Sequence, residues 1–197
     1  YKDVKSILTI PCPDDPDKTI WDDKRFAKLL TPTIWNSTYE NVKNILTVPH
    51  PDKQNFPKKL IWDDKRFMRL LTSTIWNTNC DNIMTKLTLP FWSKPLYSHL
   101  LTPSIWSVST ERIEEAIKTF EELGLQKYIT LSSLRKSPIQ IKTLYHYLIE
   151  NKISVIKNDK LHPIFNVMPC ELKDRYGLDM KVLVAQERAR TQPAIAG

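Results

Sequence analysis

Apolar positions along this chain keep a helical rhythm that proline interrupts at regular places. Phe26, Leu29 and Leu30 are spaced i, i+3, i+4, which marks one face of a short helix. Asp22 or Asp23 is placed to cap its start, since a carboxylate accepts the orphan N–H groups of a first turn. Thr31-Pro32 then ends it, because proline lacks an N–H and restricts the residue before it. Ile34-Trp35 fits a short 3₁₀ turn, and a second helix is predicted from Ser37-Thr-Tyr-Glu40, a capping-box spacing. That helix would bury Val42, Ile45 and Leu46. Each unit is thus two helices and a tight connector.

The same rhythm returns. Between Trp21–Asn36 and Trp62–Asn77, thirteen of sixteen residues are identical at an offset of 41, including the hexapeptide Trp-Asp-Asp-Lys-Arg-Phe. A weaker third copy contains Trp92, Tyr97, Leu100-Leu101-Thr102-Pro103-Ser104-Ile105 and Trp106. At a further offset of 28, Ile113 falls over Ile141, Trp106 over Leu134 and Ser109 over Ser137. Ser137-Pro138-Ile139-Gln140 combines an N-cap, a proline at the first helical position and a capping-box glutamine. A helix from about Thr110 to Leu123 is predicted to end at Gly124 in a left-handed cap. A fifth, more degenerate unit reads as Leu161-His-Pro-Ile-Phe165 followed by Pro169-Cys-Glu-Leu172.

Tandem similarity at 20 to 50 residues is the signature of a stacked-repeat protein. The expected fold is therefore all-α, a superhelical solenoid of four to five degenerate helix-turn-helix repeats of about 28–41 residues. The repeats are expected at about 8–46, 47–87, 88–124, 125–156 and 157–185, within one domain at 1–190 and ahead of a flexible tail at 191–197.

These spacings and signatures do not fit a strict tetratricopeptide or ankyrin array. One stretch carries a different likeness: Leu134-Arg-Lys-Ser-Pro138 through Ile141, Tyr147-Leu148 and Ile153, then Leu161-His-Pro-Ile-Phe165. It resembles the mitochondrial transcription termination factor family, whose repeats of about thirty residues pair two helices with a 3₁₀ turn and a proline. The resemblance implies a curved α-solenoid with a basic concave groove for duplex nucleic acid. The duplicated hexapeptide and the tryptophan columns depart from that pattern, so a separate helical-repeat family stays open.

Composition agrees with helices punctuated by proline: three glycines stand against fourteen prolines, which disfavours glycine-rich phosphate loops. The formal charge of +7 raises the prior for nucleic acid or another polyanion. Cys12, Cys80 and Cys170 are odd in number with no CxxC, so reduced thiols in an intracellular protein are expected rather than a disulfide framework or zinc site. No apolar run approaches the roughly 18 residues that span a membrane, and no secretory signal pattern is present.

Four basic or potentially basic residues share one repeat position: Lys28, Arg69, His99 and Lys127. At about 100° per residue, Lys28 points roughly 200° away from Phe26 and its apolar face. Lys24, Arg25, Lys65 and Arg66 lie one turn earlier, and Arg135, Lys136 and Lys142 extend the series. Such a stripe would give salt-sensitive, sequence-independent contacts to phosphates. The competing reading is a solvated face, with Asp22-Asp23 and Asp63-Asp64 pairing the same cations.

The tryptophans at 21, 62 and 92 and at 35, 76 and 106 are either stacking platforms for bases or core between repeats; packing is preferred, since Leu134 replaces one of them. His50, His99, His146 and His162 show no ligand spacing, so no metal or cofactor is expected. The paired aspartates read as caps rather than Mg²⁺ ligands, and no motif supports an enzyme. The expected function is a nucleic-acid-binding module for duplex or single strand. The alternative is a scaffold that takes a peptide or partner helix in its groove, and a weaker third reading is an accessory domain of a larger enzyme.

Overall fold

The computed structural model describes residues 2–52 and 57–191, and the chain divides into two compact units, 1–107 and 108–197. Most of the described chain is helical. The expected span 1–190 is thus split at Ser107. The expected third repeat, 88–124, gives its turns to the first unit and its long helix to the second. The tail 192–197 lies outside the described residues, while Thr191 ends the last helix.

The first unit starts with α1 (Lys2–Leu8) and a hairpin of β1 (Pro11–Cys12) and β2 (Asp15–Thr19). There follow a 3₁₀ turn (Ile20–Asp22), the one-turn helix α2 (Lys24–Ala27), a 3₁₀ turn (Pro32–Asn36) and α3 (Tyr39–Leu46). The second copy repeats this order: a 3₁₀ turn (Ile61–Asp63), α4 (Lys65–Met68), a 3₁₀ turn (Ser73–Asn77) and α5 (Cys80–Leu87). The third copy has only 3₁₀ turns, Pro90–Ser93, Pro95–Leu100 and Pro103–Ser107. Lys94 stands there at the position from which Asp23 and Asp64 cap α2 and α4, so the α-turn loses its acceptor.

Like packs on like. Helix α1 lies against α3 and α3 against α5, while the turns Pro32–Asn36, Ser73–Asn77 and Pro103–Ser107 contact one another in the same order. The expected core columns are buried: Phe26, Phe67 and Tyr97; Leu29, Leu70 and Leu100; Ile34, Ile75 and Ile105. Connections close alike too, with Ile20 N–H donating to Ile10 O (2.7 Å) and Ile61 N–H to Val48 O (2.8 Å).

The second unit comprises α6 (Thr110–Glu122), 3₁₀ turns at Gln126–Tyr128 and Ser133–Arg135, and α7 (Pro138–Glu150). A second hairpin, β3 (Ile156–Lys157) and β4 (Lys160–Leu161), leads to 3₁₀ turns at Pro163–Asn166 and Pro169–Glu171, then α8 (Leu172–Tyr176) and α9 (Met180–Thr191). The offset of 28 has a structural counterpart. Ser109 and Ser137 cap α6 and α7 through the N–H groups of Arg112 (3.3 Å) and Gln140 (3.4 Å), and Ile113 and Ile141 are both fully buried. Ser137 N–H also donates to Gln140 Oε1 (2.9 Å), completing the capping box, and Gly124 takes φ +68° after α6. In the segment that carries the family resemblance, Leu134, Leu161, Ile164 and Phe165 are core, whereas Ile153 is exposed.

Three expectations need correction. Two antiparallel hairpins make the chain mostly helical rather than all-α. The second turns through Asn158 and Asp159, both left-handed, a conformation that Asn and Asp tolerate best among non-glycine residues. The α3 cap is Thr38, which accepts from Asn41 N–H (3.2 Å); Ser37 instead donates to Trp76 O (3.2 Å) in the next copy. Leu30 is exposed, although Leu71 and Leu101 in its column are buried.

Candidate nucleic-acid interface

The duplicated Asp-Asp-Lys-Arg segment divides its work by residue. Asp22 and Asp63 accept from the N–H groups of Thr19 and Leu60 (2.8 Å each), which ties each turn to the chain entering it. Asp23 and Asp64 accept from Arg25 and Arg66 N–H (2.8 Å each) and so cap α2 and α4. Their carboxylates also hold the guanidinium groups of Arg25 and Arg66, at 2.6 Å in both copies. Hydrogen bonding from Arg25 holds the Asp23 carboxyl below its ordinary range. At Asp64 burial pushes upward, and the side-chain and backbone bonds from Arg66 outweigh it to give a net lowering.

Both arginines then cross to the following copy. Arg25 reaches the Asp63 carboxylate, and Arg66 donates to Trp92 O (3.0 Å). Each also lies over its neighbouring ring, Phe26 at 5.1 Å and Phe67 at 5.2 Å. These two members of the expected stripe are therefore ties between copies rather than groups held out for a ligand.

The next position outward faces solvent. Lys24, Lys28, Lys65, Arg69 and His99 are all exposed. Arg69 donates to Arg66 O (3.2 Å) and to Ser98 O, which sets it beside the turn that carries His99. His99 Nδ1 lies 3.0 Å from Leu96 O. In the first unit the structure thus sets Arg69 beside the turn of His99, while Lys28 holds the equivalent position one copy back.

Lys127 and Arg135 belong to the second unit and are exposed; Lys127 Nζ sits 5.6 Å from the Tyr128 ring centre. Lys142 pairs with Glu122 (2.9 Å). Lys136 departs from expectation. Only 2% exposed, it donates to Val167 O (2.5 Å), and burial lowers its pKa to about 8. It holds the second unit together and is not presented to a phosphate.

The tryptophans separate into two kinds. Trp21, Trp62 and Trp92 are buried, and their indole N–H groups donate to Ile7 O (2.8 Å), Ile45 O (2.7 Å) and Lys86 O (2.5 Å). Each acceptor is the penultimate residue of the helix just before it, so the indole satisfies a helix C-terminal carbonyl. Trp76 is 5% exposed and donates to Leu29 O (3.0 Å) one copy back. Trp35 is 43% exposed, and the buried Nε1 of Trp106 has no partner among the described residues. Packing, not base stacking, accounts for the column of Trp21, Trp62 and Trp92 and for Trp76.

His146 Nδ1 lies 2.8 Å from the carboxylate of buried Glu187, which fixes α9 against α7. No group of three or more His, Cys, Asp or Glu among the described residues could hold a metal ion. No described helix is long and apolar enough to cross a membrane.

One feature was missed from sequence. A cleft of about 540 Å³ in the second unit is lined by Lys127, Tyr128, Ile129 and Thr130 on one side and by the β3–β4 turn, Leu161, Pro163 and Asn166 on the other. The only signal in the sequence is the dipeptide Asn158-Asp159, whose residue types tolerate a left-handed turn; the two-residue strands beside it show no alternation. Comparison of the chain with protein-family models, with curated proteins and with solved structures finds no match.

Proposed function

We propose that this chain is an intracellular nucleic-acid-binding module, a superhelical solenoid of four to five degenerate helical repeats that contacts phosphates through an exposed basic row. The observation that carries this is the equivalent exposed placement of Lys24 with Lys28 and of Lys65 with Arg69, on copies tied together by Arg25 and Arg66. Packed helical elements lie about 8–10 Å apart. Along one strand at about 3.4 Å per nucleotide, cations at that interval would meet every second or third phosphate. The resemblance to mitochondrial transcription termination factors points the same way. The reading is of binding rather than catalysis, because the paired aspartates are occupied as caps and ties.

The test is affinity for a short random duplex and a single strand across a salt series. Binding should weaken steeply with salt. Lys28→Glu with Arg69→Glu should lower the log–log slope by about 2, at about 0.9 per phosphate contact, without unfolding the protein. Absence of binding at low salt rejects the row as a nucleic-acid site. It would favour the second reading, a protein scaffold, for which the shared exposure of Trp35 and Leu30 is the supporting observation.

A further inference from the structure

The cleft of the second unit carries a charge arrangement that the fold does not require. Lys157 and Lys160 are directly opposed across the β3–β4 ladder, so their side chains share a face. Like charges in that relation destabilise a hairpin. Lys127 lines the same cleft, and Asp159 is the only carboxylate in its lining. None of the three lysines forms an ion pair among the described residues, although carboxylates pair with Lys18, Lys142 and several arginines elsewhere in the chain. The two-residue turn through Asn158 (φ 52°) and Asp159 (φ 54°) brings the opposed lysines to its two sides. Repulsion is thus concentrated at one concave place.

The rest of the lining has a different character. Buried Ile129 and Leu161, together with Tyr128 and Pro163, make an apolar floor. Thr130 and Asn166, joined by a 2.5 Å hydrogen bond, and Asn158 supply polar edges. A volume of about 540 Å³ exceeds the need of a bare phosphate and falls in the range of small-molecule sites. Lysines, an apolar floor that includes the Tyr128 ring, and amide edges together match the parts of a nucleotide: phosphate, base face and base edge.

We propose that this cleft binds a nucleotide, with the phosphate held by Lys127, Lys157 and Lys160 and the base laid on Tyr128, Ile129, Leu161 and Pro163. The nucleotide is either free or one unit of a single strand; the strand source rests on the nucleic-acid reading above, the free source does not. The ligand's phosphate offsets the repulsion between Lys157 and Lys160.

The experiment compares wild type, Lys157→Glu with Lys160→Glu, and Lys28→Glu with Arg69→Glu. Their probes are labelled adenosine monophosphate, a labelled short oligothymidylate and a labelled duplex, with inorganic phosphate as competitor. The hairpin variant should bind the mononucleotide or the oligothymidylate at least tenfold more weakly, while the variant of the first unit keeps wild-type affinity for the mononucleotide. Saturable mononucleotide binding identifies the free source; oligothymidylate binding alone identifies the strand. If neither probe binds wild type at low salt, or if the hairpin variant binds both as wild type does, the proposal is overturned. Inorganic phosphate competing as well as the nucleotide overturns the role of the floor. Duplex binding that is lost only in the variant of the first unit leaves the basic row standing, so the two readings fail separately. As a control that needs no ligand, Lys157→Glu alone should raise the melting temperature by pairing Lys160; a lowered one would remove the repulsion on which the proposal rests.

Discussion

The two tryptophan columns use the same side chain under different conditions of supply. Trp21, Trp62 and Trp92 each bond a carbonyl 6 to 17 residues earlier in the chain, and all three are buried. Trp76 bonds a carbonyl 47 residues earlier, and its equivalents Trp35 and Trp106 have no such bond among the described residues. A partner carried close by in sequence comes with every copy. A partner one copy away is not supplied to every copy: Trp106 lacks one among the described residues although the copy before it repeats the order of the first. The difference teaches that repetition in sequence guarantees local geometry and not lateral contacts.

The largest effects should fall on the short-range column. Trp62→Ala should cost about 3–5 kcal/mol in denaturant unfolding of the first unit, because it leaves a cavity and an unpaired helix-end carbonyl. Trp35→Ala should stay within about 0.5 kcal/mol, as for an exposed surface change. Equal losses at the two would erase the distinction.

Next come the caps. Asp64→Ala should cost about 1 kcal/mol by removing an N-cap. The lowered pKa values of Asp23 and Asp64 also make a pH prediction. A carboxyl whose pKa is depressed by folding contributes stability above its unfolded value, near 4, and that stability is lost as pH falls through the folded value. Asp23→Asn with Asp64→Asn should therefore flatten the acid limb of the stability–pH curve below about pH 4. An unchanged acid limb would show that the arginine pairs are too solvated to matter.

The smallest effects sharpen the long-range column. Trp76→Phe removes the donor to Leu29 O and should cost about 0.5–1.5 kcal/mol. Trp106→Phe removes a buried donor that has no partner among the described residues and should be neutral or slightly stabilising. Loss at both positions would mean that Trp106 finds an acceptor in solution.

Capping residues located α6 and α7 to within a residue, whereas the i, i+3, i+4 face of Phe26, Leu29 and Leu30 shrank to the single turn α2, which ends at Ala27 and leaves Leu30 exposed. Proline within Thr31-Pro32-Thr33-Ile34-Trp35 announced the 3₁₀ turn. The hairpins were not legible, since strands of two to five residues hold too few side chains to show alternation. For the basic row, the column position was readable but the engagement of each cation was not. Arg25 and Lys28 look alike in sequence, and only the packing shows that one crosses to Asp63 while the other stays exposed. Lys136 was misread for a related reason. Its neighbours Arg135 and Ser137 are polar, and its burial depends on Val167, thirty-one residues away.

The indole bonds also make the array a measuring device with slack built into it. Their carbonyl and tryptophan are separated by 14, 17 and 6 residues, yet every connection closes on the same pair of groups. Loop-closure entropy grows only as the logarithm of length, so going from 6 to 17 residues costs about 1 kcal/mol. The stretch between Val48 and Ile61, clamped at its base by two backbone bonds, Ile61 N–H to Val48 O and His50 N–H to Lys59 O, is thus the place where added peptide should leave both anchors seated.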